Sequence, residues 1–92
     1  MDPIMCLKKT AGEIADEIAM RLRRKRKALK LSQKKLAEKS GVSLGSIKRF
    51  ETVKEIAFTS LIKLTIALEL ENEWETLFTQ KQYSSIEDII HE

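Results

Sequence analysis

Apolar residues along the chain recur three and four positions apart in successive groups, each bounded by residues that open or close a helix. Thr10 to Glu13 (TAGE) has the form of a capping box, in which the threonine hydroxyl and the glutamate carboxylate satisfy each other's backbone N–H groups. The helix it opens is expected to run to about Leu29. Ile14, Ile18, Leu22 and Leu29 form its expected inner stripe, and Lys25 falls on that stripe with its methylenes along the core edge.

The densest signal lies between Ser32 and Glu51. Ser32 is placed to accept from a free N–H at a helix start. Leu36 and Ala37 follow on an inward face. Gly41 stands where the helix must end in a left-handed residue, a conformation that a Cβ opposes. Val42 is expected beneath the turn. Ser43 is a second cap, and Ile47 and Phe50, three apart, give the next helix one buried stripe. The small residues Ala37 and Gly41 sit where two helices must cross closely. The pattern therefore predicts short helices over about 33–40 and 43–50 joined by a tight turn. An ordinary αα-hairpin with no further role would share that shape.

Thr52 to Ala57 is expected to connect to a helix over about 59–69. There Leu61, Leu64 and Leu68 share one face with Ile62 and Ile66 beside it, a width that implies a central position. Its cap is not obvious, and Thr59 is the second-best choice. Asn72 to Glu75 (NEWE) is another capping-box candidate, opening a helix to about Phe78. Leu77 is expected to close the core, with Trp74 and Phe78 split between core and a dimer contact. Ser84 or Ser85 then caps a last amphipathic turn carrying Ile86, Ile89 and Ile90. The class is all-α, with residues 1–9 an N-terminal arm, 10–78 one domain and 79–92 a short helical tail for a dimer or partner contact.

Composition sharpens this. A chain of 92 residues is one small domain. At that size only ~60% of the unfolded surface is buried, so oligomerisation is a natural support. The net charge of +3 conceals an asymmetry: residues 1–54 hold 15 Lys and Arg against 6 Asp and Glu, whereas residues 55–92 hold 2 against 8. A basic half that also contains the Ser32–Glu51 pattern suits a polyanion. The basic run 21–30 (RLRRKRKALK) admits phosphate contact, or complements the negative end of the helix dipole. A single cysteine, Cys6, fits a reducing compartment. No apolar run is long enough for a membrane span and the first residues lack a secretion signal, so a cytoplasmic location is expected. One His (His91) and one Cys offer no catalytic triad, metal cluster or cofactor site, which argues against an enzyme.

The segment 31–51, LSQKKLAEKSGVSLGSIKRFE, resembles the helix-turn-helix of the Cro and phage-repressor (XRE) family of bacterial and phage regulators, and the likeness extends from about Leu22 to Phe78. It implies a five-helix, lambda-repressor-like DNA-binding domain with the helix-turn-helix at 32–51. It implies that Ser43, Leu44, Gly45 and Arg49 occupy base-contacting positions. Arg49 suits a guanine and Leu44 a thymine methyl, while Gly45 admits close backbone approach. Relatives often carry long polar residues at Leu44 and Gly45, so Arg49 and DNA shape are expected to carry more of the readout here. Gln33 resembles a residue that meets a phosphate and braces the reading helix. Ser32, Lys34, Lys35, Ser46 and Lys48 are expected phosphate partners. Arg26 resembles a basic residue that pairs with the acid at the end of the reading helix, here Glu51, and is expected to be structural, as are Ala37, Gly41, Ile47 and Phe50. The likeness further implies a homodimer on a palindromic operator. More weakly, GVSLGSIKRFE, TSLIKLTIALEL and EWETLF resemble HipB-type antitoxins, which implies repression of the chain's own operon and a HipA-like kinase toxin as partner. A protein-bridging adaptor that uses the fold without reading sequence is the alternative.

Overall fold

The computed structural model describes residues 8–79. The expected N-terminal arm and the tail with Ile86, Ile89 and Ile90 lie outside the described residues, apart from Lys8, Lys9 and Thr79. The described residues form helices only: α1 (Ala11–Ala28), α2 (Gln33–Ser40), α3 (Leu44–Val53), α4 (Phe58–Ala67) and α5 (Glu73–Thr76). The all-α, five-helix architecture agrees with the sequence pattern.

Local chemistry sets the ends of the first three helices. Thr10 and Glu13 form the full capping box, the hydroxyl accepting from Glu13 N–H at 3.1 Å and the carboxylate from Thr10 N–H at 2.8 Å. Hydrogen bonding to the carboxyl, from the Thr10 backbone N–H first and then from the Thr10 side chain, holds Glu13 below its ordinary range. Ser32 accepts from Lys35 N–H at 3.0 Å and Ser43 from Ser46 N–H at 3.1 Å, so α2 and α3 each begin at a serine. Gly41 ends α2 with φ +78°; a Cβ there would meet no atom within 4 Å, so the backbone angle, not crowding, calls for glycine.

Besides the end of α3 at Lys54 (φ 62°), two further ends manage without glycine. After α1 the N–H groups of Lys30 and Leu31 turn back to the carbonyls of Lys27 and Arg26; after α4 those of Glu69 and Leu70 turn back to Ile66 and Thr65. Each turn places a non-glycine residue in the left-handed region, Lys30 at φ 60° and Glu69 at φ 64°.

The core gathers Ala19 and Leu22 from α1, Leu36 from α2, Val42 from the turn, Ile47 and Phe50 from α3, and Leu64, Ala67 and Leu68 from the α4 end. α2 packs on both α3 and α4, and α1 on α3. This burial is the main stabilising term, at about 25 cal/mol per Å² of apolar surface.

Several expectations need correction. The buried line of α1 is Ala19, Leu22 and Arg26, whereas Ile14 and Ile18 stay 47% and 38% exposed. Ile18 lines an open groove with Ala15, Phe50, Ile56 and Leu61, so the first turns of α1 stand off the core. α3 runs on through Val53, so Thr52 and Val53 belong to the helix, not to a connector. The N-cap of α4 is Ala57, which makes no side-chain cap bond, and Thr59 lies inside the helix. Asn72 makes no capping bond either, and α5 is a single turn ending at Thr76. Leu77 is exposed rather than core-closing, and Phe78 is 93% exposed. Trp74 instead lies across α4, its indole N–H donating to Thr65 Oγ1 at 2.6 Å and its ring edge-to-face with Phe58.

Candidate functional site

The helix-turn-helix presents one surface to solvent and seals the other. Ile47 and Phe50 are buried in α3, while Gly45, Lys48 and Arg49 are exposed and Leu44 and Ser46 half-exposed on the opposite side. Ser43 and Ser32, at the two helix starts, are exposed; so are Lys34 and Lys35, and Gln33 is half-buried. A Cβ at Gly45 would meet nothing within 4 Å, so nothing inside the described domain requires glycine there. Ala37 is half-buried beside the core.

The hydroxyls divide their duties. Ser43 accepts from Ser46 N–H and donates to Ser46 Oγ at 2.8 Å, which uses its one O–H. Ser46 keeps its own O–H available. Ser32 spends an acceptor on its cap and retains its donor. Of the lysines, Lys35 approaches Glu38 at 3.6 Å, whereas Lys34 and Lys48 have no ion pair among the described residues.

Behind this surface lies a buried brace. Arg26 Nε donates to Glu51 Oε2 at 2.9 Å and Nη2 to Glu51 Oε1 at 3.1 Å, a two-pronged pair. Nη1 donates to the Leu31 carbonyl at 2.7 Å, and Gln33 Nε2 donates to Glu51 Oε1 at 2.9 Å. Glu51 thus receives α1 through Arg26 and α2 through Gln33 while itself belonging to α3. Among the described residues no buried side-chain nitrogen or oxygen is left unpaired. The carboxylate accepts only, so the Gln33 amide must present its nitrogen.

Two features escaped the sequence reading. Arg49 Nη2 donates to Glu55 Oε1 at 2.6 Å, and Arg23 Nε approaches Glu51 at 3.9 Å from outside the brace. Arg49 and Glu55 stand six apart across a helix end, a spacing no periodic pattern marks. An acid just beyond an exposed arginine was the one available cue.

The described residues hold no cluster of His, Cys, Asp and Glu able to bind a metal, and no described helix is long and apolar enough to cross a membrane. The surface offers an exposed helix face with one guanidinium, flanked by cations and by serine and backbone donors at helix starts. Such a face suits a phosphate-lined groove. A helix-turn-helix family model matches residues 22–71, from the middle of α1 to just before α5. No curated protein matches the chain.

Proposed function

Because the chain belongs to the helix-turn-helix family of the Cro and phage-repressor (XRE) type, a family of DNA-binding transcriptional regulators, we propose that it is a sequence-specific repressor of its own operon, bound as a homodimer to a palindromic operator. One observation carries the reading: α3 buries Ile47 and Phe50 and leaves Leu44, Gly45, Lys48 and Arg49 facing solvent on a single helix. A major groove about 12 Å wide accepts one such helix.

In this arrangement Arg49 bonds N7 and O6 of a guanine. Leu44 presses on a thymine methyl, and Gly45 lets the backbone near a base edge. Ser43 sits at the start of the reading helix beside them. Ser32, Gln33, Lys34, Lys35, Ser46 and Lys48 bind phosphates and fix the register without reading sequence. Two copies place their reading helices roughly 34 Å apart, one turn of the duplex. The likeness to HipB-type antitoxins makes a HipA-like kinase the protein partner to seek, by co-purification with the product of the adjacent gene.

Selection from random duplexes with the purified protein tests the reading. A motif repeated in two half-sites, each with a guanine whose preference disappears in Arg49→Ala, is the expected result. Binding that enriches no motif would remove the repressor assignment and favour the bridging adaptor.

A further inference from the structure

The Arg49–Glu55 pair does nothing evident for the fold. Both side chains are well exposed, and an exposed ion pair contributes little to stability. Its placement is nonetheless tightly defined. Lys54, the residue before Glu55, ends α3 in the left-handed conformation at φ 62°, with its N–H on the Phe50 carbonyl and its ammonium 3.0 Å from the Thr52 carbonyl. The residue after, Ile56, packs half-buried against the core. Glu55 is therefore held between two anchored neighbours, and the chain reversal at Lys54 brings its carboxylate back to Arg49.

We propose that Glu55 is a positioning and specificity-determining residue for DNA: its carboxylate holds the Arg49 guanidinium by one terminal nitrogen, aims the free edge at a guanine, and opposes binding to duplex of any other sequence. The inference rests on Arg49 reading a base. A guanidinium has five N–H donors, and this bond uses one. Whichever hydrogen of Nη2 is donated, one edge keeps two parallel N–H groups, enough for N7 and O6 of guanine. Holding the long side chain in place beforehand removes part of the ordering cost of binding. The carboxylate also repels phosphates irrespective of sequence, so off-target duplex is disfavoured.

The test measures Kd for the selected operator, for operators changed at the guanine that Arg49 reads, and for random duplex. The proteins are wild type, Glu55→Ala, Glu55→Gln, Arg49→Ala and the Arg49→Ala/Glu55→Ala double variant. Glu55→Ala is expected to bind random duplex more tightly and to lose about three- to tenfold of the guanine preference. Glu55→Gln keeps an acceptor of the same shape without the charge; it is expected to tighten random binding yet retain most of the preference. In the Arg49→Ala background, removing Glu55 is expected to tighten all sequences equally. If Glu55→Ala tightens every duplex by one factor with the guanine preference intact, the carboxylate is only a surface charge and the proposal fails. If wild type selects no motif, or Arg49→Ala changes no base preference, base reading itself fails, and that result is visible before any Glu55 variant is compared.

Discussion

Two arginine–glutamate pairs flank α3, one on each side, and they share chemistry but not surroundings. Arg26 and Glu51 have side chains 9% and 7% exposed, joined by two hydrogen bonds, with Gln33 and the Leu31 carbonyl taking up further valences. Arg49 and Glu55 are 65% and 67% exposed and share one bond. Inside, each charge depends on its partner, because water cannot replace it. Outside, water replaces either partner at little cost, so the pair adds little to stability and is proposed only to aim Arg49. Burial, rather than the bond itself, separates a brace from a positioning contact.

Arg26→Ala should have the largest effect, leaving the buried Glu51 carboxylate with only the Gln33 amide and the more distant Arg23, at a cost of up to about 3–5 kcal/mol in unfolding free energy. Thermal denaturation followed by circular dichroism measures it, and an unchanged Tm would show that the inner pair is no brace. Replacing Arg26 and Glu51 together by methionine should cost less than the two single changes added, since no lone charge remains.

Next comes Arg49→Ala. Unfolding free energy should shift by less than about 1 kcal/mol. Discrimination at one base pair should fall by roughly 1–3 kcal/mol in competition titrations, with little change on random duplex. A large drop in Tm would mean that the outer pair is structural after all.

Lys34→Ala should weaken all sequences alike and lower the slope of log K against log salt by about 1. A loss confined to one operator would place Lys34 among the base readers. Smallest of all, Glu69→Gly relieves a left-handed residue after α4 and should stabilise by about 0.5–1 kcal/mol, read as a modest rise in Tm.

The helix-turn-helix was legible because its determinants are local. Ser32 and Ser43 each act on a residue three positions ahead, and Gly41 answers a single backbone angle. The inner face of α1 was legible only in part, for a related reason: Leu22 is buried and Leu29 packs at the core edge, whereas Ile14 and Ile18 stay exposed. Its buried line runs Ala19, Leu22, Arg26, and a periodic reading gives an arginine no weight as core. Arg26 is inside because Glu51, 25 residues away, neutralises it. Ile14 and Ile18 have the right spacing, but spacing does not say whether another element covers them. α5 fails likewise: Asn72 has the chemistry of a cap, yet its backbone is helical (φ −69°, ψ −17°) and the side chain makes no capping bond. The pairing of Arg49 with Glu55 depends on the reversal at Lys54, a left-handed lysine that no residue preference announces.

Glu51 is a junction at which three helices meet. Tilting α3 relative to α1 would break the two bonds from Arg26, and tilting it relative to α2 the bond from Gln33, so α3 is seated before any ligand arrives. The residues that project from it are not part of that junction. Positions 44, 45, 48 and 49 should accordingly behave as an exchangeable cassette: new side chains grafted there should redirect target choice while the scaffold melts at nearly the same temperature.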